Sequence, residues 1–193
     1  MAGRSRAGTV TTSATPRDRD EAGKPKNARP RDGLGRPLDR AAAGEPTMPA
    51  DLRLAPGDAL PLAQRLIDDG RPFHAHEVLE IAWKSVPSDE RQVWKGLAQI
   101  AVGLTHARRG NGVGATTLLR RGAAAVAGYA GKLPAGLDIT VVRSADELAD
   151  RIERSGLDQV TDEDLRPRLF VARGAGPTGT ARSRRERCGP DQA

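Results

Sequence analysis

Between residues 56 and 156, apolar residues recur at intervals of three and four positions, the spacing of amphipathic helices. The pattern predicts five helices, over about residues 58–69, 72–86, 89–109 and 113–129, and from 144 to about 156. The third of these is apolar around most of its circumference, which is typical of a helix at the centre of a bundle.

The connections between these helices are short and rich in turn residues. Gly70 suits a helix end and Pro72 suits a first helical turn. Gly110 and Asn111 accept a positive φ and predict a structural turn, and Gly114 predicts a close helix contact. Because short connections favour antiparallel neighbours, the fold class is all-α, a compact up-and-down bundle of about five helices.

The region before the fifth helix reads differently. Residues 132–142 predict a loop with a brief extended piece over 139–142. Ser144 and Glu147 have the spacing of a capping box, so the fifth helix is predicted to begin there.

The flanks offer few residues to bury. Residues 1–50 are predicted to be a disordered basic tail, and residues 171–193 a disordered tail rich in Arg and Gly. The helical domain covers 56–156, and 157–170 reads as a short helical turn and linker. Met48 lies where order should begin, which suggests a translation start there as an alternative to Met1.

Charge and composition exclude several classes of protein. The net charge is +6, but residues 1–50 carry +4 and residues 171–193 carry +3, so the domain itself is close to neutral. Contact with nucleic acid is therefore expected to be weak, nonspecific and confined to the tails. The single cysteine, Cys188, excludes an intrachain disulfide, which favours a cytoplasmic protein. No apolar run is long enough for a membrane span, and a homo-oligomer is left open.

The second predicted helix carries the candidate chemistry. His76, Glu77 and Glu80 fall within one arc of about 100°, and Trp83 is almost in line with His76. The third helix presents Gln99 and His106 on either side of Gly103. If these faces meet, the polar residues would form a buried network that projects into the bundle. His74 lies away from Glu80 and is predicted to be exposed.

Three hypotheses follow from this cluster. The first is a polar network that fixes helix register or lines a ligand-binding groove, with no cofactor. The second is a metal-dependent hydrolase, in which His76 and Glu80 bind a divalent metal and Glu77 is the general base. The third is a nucleic-acid accessory protein that acts through its basic tails.

The pattern Phe73-x-x-His76-Glu77-x-Leu79-Glu80-x-x-Trp83, followed by Gly96-Leu97-x-Gln99-x-Ala101 and the Gly110-Asn111 turn, resembles the domain of unknown function 309 family. The resemblance covers about residues 62–129. It implies a small bacterial or archaeal all-α protein and does not imply a reaction. The resemblance implies that the family's His-Glu…Glu…Trp pattern falls on His76, Glu77, Glu80 and Trp83, and Gln99 resembles the Gln of its next helix.

Overall fold

The computed structural model describes residues 29–46, 48–49 and 52–172. These residues form five α-helices and one short 3₁₀ helix. The helices are α1 (Pro56–Asp68), α2 (Pro72–Ser85), α3 (Arg91–Arg108), α4 (Gly112–Ala127) and α5 (Thr140–Ser155), followed by the 3₁₀ helix Leu157–Gln159. The predicted all-α bundle is confirmed, and four of its helices lie within three residues of their predicted bounds.

Each helix packs on the next one in the chain, and α3 lies between α2 and α4. The core is continuous across all five helices and includes the fully buried Trp94, Leu97 and Leu104 of α3. A central helix that is apolar on most sides buries surface against neighbours on both flanks, as its sequence predicts.

Helices α3 and α4 approach so closely that glycine is required at their contact. A Cβ added to Gly122 would lie 2.6 Å from the carbonyl oxygen of Gly96, and one added to Gly103 would lie 3.1 Å from the backbone nitrogen of Leu119. Gly103 therefore faces α4, and the α3 surface that it occupies packs against α4 rather than α2.

Helix α5 begins earlier than predicted. The extended piece over 139–142 is wrong, because Thr140 already starts the helix. The Asp138 carboxylate accepts hydrogen bonds from the backbone nitrogen and the hydroxyl of Thr140, at 2.9 and 2.7 Å. These bonds lower the pKa of Asp138. Asp138 thus provides the start that the sequence assigned to Ser144.

Residues 157–170, predicted to be a short helical turn and linker, begin with the 3₁₀ helix and pack on the bundle. Leu165 and Leu169 are buried. The side chain of Gln64 in α1 accepts hydrogen bonds from the backbone nitrogens of Leu169 and Phe170, the first at 2.5 Å and the second at 3.1 Å. This segment closes one end of the core.

The largest difference from the sequence prediction lies before α1. Residues 29–46, here named the N-terminal strap, fold across the first turns of α2 instead of forming part of an unpacked tail. The remainder of the two predicted tails, apart from residues 48–49 and 171–172, lies outside the described residues.

Candidate functional site

Helix α2 has two opposite faces. Ala75, Val78, Leu79 and Ala82 are buried in the core. His76, Glu77 and Glu80 lie on the rest of the circumference, about 100°, 200° and 140° around the helix from Ala75 at 100° per residue. The cluster therefore faces outward, away from the other helices, and not into the bundle interior as predicted.

The N-terminal strap covers this outward face, beginning at Phe73. Gly35 lies directly on the Phe73 ring, at a φ of 74° that favours glycine, and an added Cβ would come within 2.3 Å of a ring carbon. The guanidinium groups of Arg31 and Arg109 each lie 5.9 Å from the ring centroid, within cation–π range. Arg109 also donates two hydrogen bonds to the carbonyl of Leu34. The strap is thereby attached to both α2 and α3.

Polar contacts attach the end of the strap to α2. The Glu45 carboxylate pairs with Arg71 at 3.1 Å. The His74 Nε2 lies at hydrogen-bond distance, 3.2 Å, from the carbonyl of Pro46. His74 is only 1 % exposed, so its predicted exposure is wrong. It is buried because the strap supplies a polar partner on a side of α2 that the other helices leave open.

Between the strap and α2 lies a surface cleft with a volume of about 770 Å³. The α2 wall consists of four residues and the strap wall of seven. The lining residues are Phe73, His76, Glu77 and Glu80 from α2, and Arg29, Pro30, Arg31, Arg40, Ala42, Glu45 and Pro46 from the strap.

His76 is half-buried in the cleft, with a smaller exposed fraction than Glu80, 26 % against 35 %. Burial lowers the pKa of its imidazole below 6.5, an effect that the nearby charges of Glu80 and Glu77 oppose. Its Nδ1 is buried and has no hydrogen-bond partner among the described residues. The Nε2 lies 3.8 Å from Glu80, whose other carboxylate oxygen pairs with Lys84 at 3.0 Å. At neutral pH the cleft therefore contains an uncharged imidazole with unused hydrogen-bonding capacity.

Glu77 has a different partner. Its Oε2 accepts a hydrogen bond from the backbone nitrogen of Met48, just beyond the strap, at 3.2 Å. Glu77 thus lines the cleft and also holds the chain that forms the opposite wall.

The other predicted members of the cluster lie elsewhere. Gln99 and His106 form no hydrogen bond with His76 or Glu80 in the part of the chain that the structure describes. The His106 Nδ1 accepts instead from the Asn111 side chain at 2.8 Å, and burial and Arg109 lower the pKa of His106. Trp83 is partly buried against the core.

The turn between α3 and α4 holds His106 in place. Gly110 has a φ of 79°, and the Asn111 side-chain oxygen caps α4 by accepting from the backbone nitrogen of Gly114 at 2.9 Å. A Cβ at Gly114 would come within 2.4 Å of the His106 ring nitrogen. These glycines serve a local contact at the end of α3.

The arginines of the cleft were not predicted as site residues. The sequence signal that could have indicated a folded strap is the turn pattern Asp32-Gly33-Leu34-Gly35. Asp32 accepts hydrogen bonds from the backbone nitrogens of Leu34 and Arg36, at 3.0 and 2.7 Å. Such a local turn reverses the strap and brings Arg31 opposite Pro37, with which it forms an isolated antiparallel bridge.

The donors for a metal ion are incomplete. Over residues 29–172, leaving aside the undescribed positions, no group of three or more His, Cys, Asp or Glu side chains is arranged to hold a metal. A metal bound by His76 and Glu80 would need further ligands from outside these residues.

These features define a small helical-bundle protein in which an N-terminal segment forms a cleft over the second helix. Residues 60–118 match the family described as Domain of unknown function (DUF309). The resemblance noted in the sequence is thereby confirmed. The matched residues contain the α2 wall of the cleft, whereas the strap lies before them.

A similar relative is the "Uncharacterized protein YpuF" of Bacillus subtilis (strain 168). It is 46 % identical over 48 residues, which cover 24 % of this chain and 28 % of the Bacillus protein. No solved structure matches the chain. None of the described helices has the length and apolar character that crossing a membrane requires.

Proposed function

We propose that this protein is a binding module that holds a small polar molecule in the cleft between the strap and α2. The observation that carries the proposal is the cleft of about 770 Å³, which the half-buried His76 lines together with Glu77 and Glu80. The volume is within the range of small-molecule sites.

A purely structural role for the cluster is less well supported. Of its three polar residues only Glu77 contacts the chain on the opposite side of the cleft, through Met48. His76 and Glu80 contact each other and Lys84, all on α2. Two of the three residues therefore do not hold the strap, which leaves them for a ligand. We propose the cytoplasm as the compartment, since Cys188 is the one cysteine.

An NMR fragment screen tests this proposal. We expect small polar fragments to shift the backbone amides of Phe73, His76 and Glu77 together, in a saturable manner. The His76→Ala variant should weaken binding by roughly three- to tenfold, which corresponds to one hydrogen bond of about 0.7–1.4 kcal/mol.

His106→Ala is the matched control, because it removes the other half-buried imidazole of low pKa from a site outside the cleft. Its fragment affinities should equal those of the wild type. Fragments that bind only elsewhere, or equal losses in both variants, would contradict the proposal.

A further inference from the structure

The charges that line the cleft are unequally compensated, although three arginines and three glutamates line it. Each glutamate already has a partner. Glu45 pairs with Arg71, Glu80 with Lys84, and Glu77 accepts the backbone N–H of Met48. Glu45 and Glu80 are therefore paired with cations, whereas the Met48 N–H leaves the negative charge of Glu77 on the α2 side of the cleft.

On the strap side of the cleft, Arg29 and Arg31 differ from the glutamates in their partners. Among the residues that the structure describes, neither Arg29 nor Arg31 pairs with a carboxylate. Arg31 donates one hydrogen bond to the carbonyl of Gly35 and stacks on Phe73, which leaves further N–H groups of its guanidinium unused. The two arginines are separated only by Pro30, and both line the cleft. Arg40 lines the same wall.

Building on the proposed function, we infer that the ligand of the cleft carries a terminal oxyanion, a phosphate or a carboxylate, which Arg29 and Arg31 bind while His76 bonds its neutral part. Guanidinium groups present paired N–H donors that match both oxyanions. The neutral imidazole adds no charge at pH 7, so the anionic end is directed toward the strap and away from Glu77 and Glu80.

Inorganic phosphate and acetate are suitable probes, each titrated at constant ionic strength against sodium chloride and followed by NMR. We expect saturable shifts at the Nε–Hε groups of Arg29 and Arg31. The double variant R29Q/R31Q should raise the dissociation constant of the better probe at least about threefold, the effect of losing one or two partly exposed charge contacts. A response to phosphate alone identifies a phosphate group, and a response to acetate identifies a carboxylate. Both support the inference.

Arg154→Gln makes the same chemical change on the exposed end of α5 and should leave probe binding unchanged. Since Arg31 also contacts Phe73, the single variant Arg29→Gln is needed as well, because it leaves that contact in place. Equal losses in Arg154→Gln, or shifts that follow ionic strength only, would overturn the inference. If neutral fragments still shift the amide signal of His76 in that case, the proposed binding function is retained and only the inferred anion specificity is wrong.

Discussion

The carboxylate of Glu77 accepts a hydrogen bond from the backbone nitrogen of Met48 at 3.2 Å, across 29 positions of sequence. The same side chain lines the cleft beside His76. One residue of α2 therefore contributes to the cleft and also fixes the chain that leads out of its opposite wall. This coupling predicts that strap attachment and ligand binding respond together to changes at position 77.

Glu77→Ala should loosen the strap. Loss of one charge-assisted hydrogen bond at a half-buried position should lower the free energy of local opening by about 1 kcal/mol. Hydrogen exchange of the Leu38 and Glu45 amides, which are bonded within the strap, reports this opening. Glu80→Ala removes a carboxylate from the same helix face without a bond to the strap or to Met48. If the Leu38 and Glu45 amides exchange as slowly in Glu77→Ala as in Glu80→Ala, Glu77 does not hold the strap in place.

Gly35→Ala should displace the strap more severely. The added methyl would enter the Phe73 ring, and alanine is also strained at a φ of 74°. Tryptic cleavage after Arg40, which Ala41 follows, should accelerate roughly tenfold, equivalent to about 1.4 kcal/mol of opening free energy. Gly156→Ala carries the same positive-φ strain, at 76°, with no atom within 4 Å, and should not change cleavage of the strap. An unchanged rate in Gly35→Ala would mean that Gly35 does not rest on Phe73.

Gly122→Ala should destabilise the whole bundle. Its methyl would lie 2.6 Å from the carbonyl oxygen of Gly96 and 2.9 Å from the backbone nitrogen of Ile100, so α3 and α4 would have to separate. Overpacking of this kind costs about 1–3 kcal/mol, measurable by urea denaturation. In Gly57→Ala, at the start of α1, the methyl meets open space, and the change should be neutral or slightly stabilising. Equal stability of the two variants would argue against the close α3–α4 contact.

Stability should also depend on pH through His76. Because burial lowers the pKa of the folded imidazole below 6.5, the unfolded chain binds more protons between the two pKa values. The free energy of unfolding therefore falls as the pH decreases through 6.5, and this contribution levels off once the folded imidazole is also protonated. Glu77, Glu80 and Lys84 are the charged groups that act on this imidazole.

His76→Gln should reduce this loss, since glutamine does not titrate. Urea denaturation at pH 7.5 and pH 5 should give a smaller difference in unfolding free energy for the variant than for the wild type. His106→Gln, measured in parallel, separates the contribution of the second imidazole of lowered pKa. If the unfolding free energy changes between pH 7.5 and pH 5 by as much in His76→Gln as in the wild type, His76 is not desolvated in the folded protein.

The helices could be predicted because their periodicity and turn residues agree. The α3–α4 turn, for example, combines a positive φ at Gly110 with a cap from Asn111. The start of α5 could not be predicted from local pattern, since the β-branched Thr140, Val141 and Val142 favour a strand when taken alone. Their helical state depends on Asp138, whose backbone nitrogen bonds to the distant Leu169.

The α2 side of the candidate site could be predicted from the sequence, but its surroundings could not. The spacing of His76, Glu77 and Glu80 indicates a shared face without indicating whether that face meets another helix. The strap has few apolar residues, so its packing depends on Gly35, on cation–π contacts and on backbone carbonyls, which leave a weak signal in composition. The burial of His74 follows from the same contacts.

The central claim is that the strap forms the second wall of the cleft by resting on Phe73, and the most direct test is the NMR spectrum of Gly35. The structure predicts nuclear Overhauser contacts between the Gly35 Hα protons and the Phe73 ring, with those protons shifted upfield by the ring current. Random-coil shifts for Gly35 without contacts to Phe73 would contradict it, because His76, Glu77 and Glu80 would then face open solvent.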